Sequence, residues 1–234
     1  YAEAVRNDIV RIQKAAVSLL SLPIGGSAVG TGINVHPRFK TYVIREIREL
    51  TGIKFRCSRN LFEGIQNVNP ALELSASLRG VSVTLIKIAN DIRLLSSGPR
   101  TGFAEIKLPA VQPGSSIMPG KVNPVMAEML NMVCFQVIGN DTAITYAAQA
   151  SQLELNVMMP VIAFNLLFSL EILSNAVEIF AEKCVRGITA DKRRCKEFAE
   201  RSLALATALN PIIGYSSAAE ISKEAYRTGK TIRQ

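Results

Sequence analysis

Residues 114–124 read Gly-Ser-Ser-Ile-Met-Pro-Gly-Lys-Val-Asn-Pro, and the rest of the chain is organised around them. Gly114 and Gly120 bracket two hydroxyls and a flexible run, so the stretch predicts a loop, one whose glycines suit closure over a ligand. A helix is expected to follow over 124–138. Asn123 suits its N-cap, and Pro124 suits its first position, where the missing N–H costs nothing. Met126, Met129, Leu130, Val133 and Val137 then recur at helical spacing. The positive end of that helix dipole points back at the loop, and Lys121 adds a full positive charge. A small carboxylate is the natural guest of such a place.

Outward from the loop, the pattern is long helices with short breaks. Val5, Ile9, Ile12, Ala16 and Leu19 predict a helix over 1–22, ended by Pro23 and Gly25-Gly26. A shorter amphipathic helix is expected over 40–51, with Gly52 as its stop. Residues 53–70 are less regular. Leu74, Leu78, Val81, Leu85, Ile88, Ile92 and Leu95 mark a long helix over 71–96, terminated by Gly98-Pro99. Residues 99–113 read as a connector. Gly139-Asn140-Asp141 punctuates the helix after the loop, as a kink or as a stop, and one long helix over 142–183, able to bend at Pro160, is expected next. Its middle is apolar nearly all round, which suggests burial among helices of several subunits. Two further helices are expected near 191–208 and after 216.

Composition narrows the function classes. A chain of 234 residues can bury a sizeable core, and 48% hydrophobic with 20% charged residues excludes a disordered chain. Trp is absent and Leu, Ile, Val and Ala dominate, which favours helix packing over a β-sandwich. The net charge of +8 attracts anions in general. A nucleic-acid surface needs clustered basic residues with aromatics; here only Lys192-Arg193-Arg194 cluster, and no nucleic-acid partner is expected. Cys57, Cys134, Cys184 and Cys195 have neither metal nor redox spacing and read as reduced thiols of a cytoplasmic protein. No metal site is expected. The apolar run 157–173 is interrupted by Pro160, Asn165, Ser169 and Glu171, so no membrane span is expected. His36, the only histidine, sits beside Pro37 and reads as a loop residue.

The stretch 114–124 resembles, without a break, the signature loop of the aspartase/fumarase superfamily, whose members eliminate a group from a succinyl skeleton to give fumarate. Gly30-Thr31-Gly32-Ile33-Asn34 is similar to the family's Gly-Thr-Gly-hydrophobic-Asn segment. On its residues alone it is a tight turn needing glycine dihedrals; the resemblance implies that it lies near the active site. The resemblance implies an all-α fold, a long-helix bundle contributing to a tetrameric twenty-helix core. Residues 1–187 then correspond to the central bundle domain, and 188–234 to the beginning of a small C-terminal helical domain. The N-terminal domain is expected to be absent from this chain, along with the family's Gly-Arg-Thr-His type motif.

Elimination from aspartate or malate needs a base at Cβ and donors for a carboxylate that takes up a second negative charge. The resemblance makes Ser115 the base. By its residue type alone Ser115 is a turn hydroxyl, and only an electropositive setting would change that. Ser116, Lys121 and Asn123 are the implied substrate-binding residues; read without the family they are a loop hydroxyl, a solvated lysine and a helix cap. Glu128, one turn into the helix, matches a glutamate that partners the family's histidine, and otherwise reads as a surface helix charge.

Three segments favour the aspartase branch: Leu94-Leu95-Ser96-Ser97-Gly98-Pro99-Arg100, Val137-Ile138-Gly139-Asn140-Asp141-Thr142 and Gln152-Leu153-Glu154-Leu155-Asn156-Val157-Met158. Met159 departs from it, because a Glu usually precedes this proline. The implied reaction is reversible elimination of ammonia from L-aspartate, with malate/fumarate hydration as the alternative. A second alternative is an assembly core that is inactive alone. The implied partners are a small dicarboxylate and three further copies of the chain. No cofactor is required, and an activating divalent cation stays open.

Overall fold

A computed structural model describes residues 1–112, 114, 118 and 122–234 of the protein. In chain order the elements are α1 (Ala2–Ser18), β1 (Ser21–Leu22), α2 (Phe39–Thr51), β2 (Arg56–Cys57), α3 (Leu61–Gln66), α4 (Asn69–Leu95) and β3 (Ile106–Lys107). They are followed by α5 (Val125–Gln149), α6 (Met159–Lys183), β4 (Thr189–Ala190), α7 (Lys192–Arg201), α8 (Asn210–Ile213) and α9 (Tyr215–Thr228). Among the described residues every strand is two residues long, so the fold is all-α, as expected.

The chain divides into two compact units. One holds residues 1–90 and 125–181; the other holds 91–124 and 182–234.

The first unit is built on α4, α5 and α6. Of the expected α4 stripe, Leu74, Leu78, Leu85 and Ile88 are buried in this unit and Val81 is half-buried; the end of α4 belongs to the second unit, with Ile92 buried and Leu95 half-buried. On α5 the buried face is rotated from the one expected. Ala127, Leu130, Cys134, Val137 and Ile144 are inside, whereas Met126, Met129 and Val133 are half-buried. From α6 come Ile162, Leu166, Leu173, Ala176 and Phe180. Each large side chain fully buried this way contributes about 1.5–3 kcal/mol.

Three hydrogen-bonded or ionic contacts inside this unit run across helices. Ser75 on α4 donates to Asp141 Oδ1 on α5 at 2.6 Å, and Arg79 reaches Asp141 Oδ2 at 3.2 Å. Asn140 Nδ2 donates to Ser169 Oγ on α6 at 2.9 Å. These bonds correct the expected break at Gly139-Asn140-Asp141, because α5 runs through it to Gln149. The turn instead occupies residues 150–158. There Leu153 adopts φ 49° and Asn156 holds the carbonyls of Ala147 and Ala148, each at 3.2 Å. Pro160 does not bend a long helix; it sits in the first turn of α6, where it is tolerated.

Three smaller corrections follow the same logic. α1 ends at Ser18 rather than near 22, because Ser21 and Leu22 leave to pair in parallel with Arg56 and Cys57. Residues 61–66 are helical, since the Asn60 side chain accepts from the N–H groups of Phe62 and Glu63. α7 stops at Arg201, where Ser202 turns extended and caps a 3-10 turn over Leu203–Leu209.

By length and composition alone, Met159–Gly187 is apolar enough to cross a membrane. Two of its polar side chains bond back to the helix: Asn165 Nδ2 donates to Val161 O, and Ser169 Oγ to Asn165 O. In the single chain, Phe164 is 66% and Leu167 65% exposed, and Phe164 stacks on Phe168 with ring centroids 5.9 Å apart.

Candidate active site

The second unit carries a pocket of about 390 Å³ at the end of the signature loop. Its walls come from three stretches far apart in the chain. The segment after α4 folds back on the helix end: Ala104 N–H donates to Ser97 O at 2.7 Å, and Glu105 N–H to Leu95 O at 2.9 Å. Gly102 is needed there, since a Cβ would stand 2.5 Å from the Ser97 carbonyl. Arg194 clamps the same segment, donating from Nε to Phe103 O and from Nη2 to Gly102 O, both at 3.1 Å, with its guanidinium over the Phe198 ring.

β3 pairs antiparallel with β4, setting Lys107 opposite Thr189. This register brings Asp191 to the pocket. Its N–H donates to Glu105 O at 2.8 Å, and its Oδ1 caps α7 by accepting from Arg194 N–H at 3.1 Å. Lys107 Nζ stands 3.4 Å from Asp191 Oδ2. The Arg194 N–H bond, helped by Lys107 and Arg193, holds the Asp191 carboxyl below its ordinary range against a smaller opposing effect of desolvation. Val122, Asn123 and Pro124 form the third wall.

Of the site residues expected from the sequence, Asn123 lines this pocket and is half-buried. No hydrogen bond engages its side chain among the described residues. Glu128 lies in the first turn of α5, half-buried, where its charge suits the helix dipole. Ser115, Ser116 and Lys121 lie outside the described residues. The helix that follows opens at Val125, one residue beyond the expected Pro124.

The connector 99–113 carried no functional expectation, yet it supplies much of the pocket wall. Asp191 had a local signal as a helix cap ahead of Lys192; Lys107 had none. In the first unit, Gly30 meets α3 so closely that a Cβ would stand 2.5 Å from Phe62 Cα, and Thr31 Oγ1 closes the turn on Ala28 O at 2.9 Å. His36 is an exposed loop residue whose Nδ1 accepts from Arg38 N–H at 3.2 Å. Burial pushes the Cys134 thiol up to about 11, with a hydrogen bond to Ser82 opposing. Among the described residues no three His, Cys, Asp or Glu side chains stand together so as to hold a metal ion.

A family model described as "Lyase" matches residues 1–139, and one described as "Fumarase C C-terminus" matches 205–234. The chain belongs to this lyase family, the aspartase/fumarase superfamily. It is 47% identical over 233 residues to the aspartate ammonia-lyase of Bacillus subtilis, covering 100% of this chain and 49% of that protein. It is 48% identical over 232 residues to "Fumarate hydratase class II 2" of Pseudomonas aeruginosa, covering 99% of this chain and 51% of that one. Among solved structures, a fumarate lyase:delta crystallin from Brucella melitensis bound to cobalt superposes with a TM-score of 0.94 at 48% identity, covering 99% of this chain and 50% of its own. The class II fumarase of Schistosoma mansoni superposes at 0.97 with 36% identity, covering 100% and 52%. The chain spans about half the length of the curated relatives it matches.

Proposed function

We propose that this chain carries part of the active site of an ammonia-lyase that converts L-aspartate to fumarate. The observation behind the proposal is the unbroken sequence motif 114–124 just ahead of α5, with Asn123 on a pocket wall at its end. Ser115 removes the Cβ proton. The electron pair moves first into the neighbouring carboxylate and then expels the amine from Cα, so the step needs neither oxidant nor reductant. Lys121, Asn123 and Ser116 bind the carboxylate whose charge doubles, where the helix dipole adds to them. Glu128 enters the proposal as the resemblance implies, as the partner of the family's histidine.

The reading that competes is hydration of fumarate to malate, since a relative named a fumarase is as similar as one named an aspartase. The segments 137–142 and 152–158 favour the ammonia-lyase. We place a cytoplasmic homotetramer in the same proposal; the exposed apolar side of α6 supports association. The activity is that of the full-length protein, and the 234-residue chain alone is proposed to be inactive. The test is absorbance of fumarate formed by the full-length protein. A signal with L-aspartate and none with L-malate supports the proposal; a signal with L-malate alone replaces it with the hydratase.

A further inference from the structure

We infer that the cationic face of α2 holds a diphosphate group, in a site of the first unit that shares no residue with the pocket beside Asn123. Lys40 and Arg48 carry its charge, with the Thr41 and Ser58 hydroxyls as further donors. The inference stands apart from the ammonia-lyase proposal and uses none of its residues.

Four observations carry it. First, the lining of one pocket of about 330 Å³ includes Lys40, Thr41, Arg45, Arg48 and Ser58 and no carboxylate. Second, two of its three cations are unspent. Arg45 is committed to its neighbours, with Nη2 donating to Glu46 Oε1 at 3.0 Å and Nε 3.7 Å from Glu49 Oε1. Lys40 makes neither a hydrogen bond nor an ion pair among the described residues. Arg48 donates from Nε to Phe55 O, which fixes its guanidinium and leaves both Nη groups without a bond among those residues. Such a fork pairs well with phosphate oxygens. Third, α2 opens with no side-chain cap bond and no acidic residue in its first turn. The positive end of its dipole is therefore uncompensated where Lys40 and Thr41 stand. Fourth, Lys40 and Arg48 lie on one face of α2, about 12 Å apart along the helix axis. A single phosphate answers one end of that spread; two linked phosphates bring acceptor oxygens to both. A dicarboxylate offers fewer oxygens and less charge.

The test is calorimetric titration of the 234-residue chain, at physiological ionic strength, with pyrophosphate, ADP, inorganic phosphate, sulfate and succinate. It is repeated on Lys40→Gln, Arg48→Gln and Lys223→Gln, the last removing the same charge from the exposed side of α9. Pyrophosphate and ADP are expected to bind more tightly than the other three. Lys40→Gln and Arg48→Gln are each expected to weaken them about tenfold, the scale of one hydrogen bond to a charged group. Lys223→Gln is expected to leave them unmoved. Tighter binding of ADP assigns the site to a nucleoside diphosphate and tighter binding of pyrophosphate to the free diphosphate, and either supports the inference. Circular dichroism and thermal midpoints check that the variants fold. Arg48→Gln gives up the Phe55 bond, so if it unfolds, Lys40→Gln decides, because the Lys40 side chain holds nothing in place. Equal affinity for pyrophosphate, phosphate and sulfate means an adventitious ion only and overturns the inference. So does a loss with Lys223→Gln equal to that with Lys40→Gln, binding unmoved by Lys40→Gln, or no binding at all.

Discussion

Ser75 and Asp141, sixty-six positions apart, meet at 2.6 Å in the interior of the first unit, the serine hydroxyl donating to the carboxylate. Both are almost fully buried, at 3% exposure each. The pair ties α4 to α5, and Arg79 closes it from the protein surface.

Replacing Asp141 with Ala leaves the Ser75 hydroxyl buried without its partner and removes the counter-ion of Arg79. The expected loss is about 3 kcal/mol of stability, from breaking a buried charge with two partners. Urea unfolding of Asp141→Ala beside Ser75→Ala measures it. If the two single losses add in the double variant, the pair is not coupled.

Gly30→Ala and Gly80→Ala are expected to move stability in opposite directions. At Gly30 φ is +100° and the new Cβ would stand 2.5 Å from the Phe62 backbone, so α3 must shift, at a cost of about 1–3 kcal/mol. Gly80 lies within α4 with open space around it, and alanine there should stabilise by about 0.5–1 kcal/mol. Thermal unfolding of both variants gives the comparison.

Cys134 should resist thiol reagents in the native protein at pH 8. Burial raises its thiol from 9.0 to about 11, so the thiolate is scarce and the sulfur is covered. The sign for stability follows. Because the folded-state value is the higher one, this contribution is complete below pH 9 and is lost as pH rises from there through about 11. Alkaline unfolding of Cys134→Ala should lack that part of the pH dependence.

Ser115→Ala in the full-length protein should lower the rate of elimination by about 10²–10⁴-fold while leaving the affinity for succinate within a few-fold, as expected for a base that does not hold the ground state. Steady-state kinetics with succinate inhibition reads both numbers.

The α4 stripe was legible because an amphipathic helix of 27 residues repeats its spacing many times over. The boundary between α5 and α6 was not. Gly139-Asn140-Asp141 has the residues of a turn, and what keeps it helical is Ser75, Arg79 and Ser169, each distant in sequence. The true turn at 150–158 contains no glycine or proline to announce it, and Asn156 braces it by side-chain bonds that no spacing reveals. Asn123, which lines the pocket, stands out in the sequence as part of a contiguous motif. The approach of Lys107 to Asp191 depends on a strand pairing of two residues each, too short to leave a periodic trace.

The stacked rings of Phe164 and Phe168 and the bare side of Leu167 also bear on how the chain behaves in a test tube. Water against that surface favours any encounter that covers it, so the melting temperature should climb as the protein is concentrated. A dilute stock is therefore expected to be the fragile one.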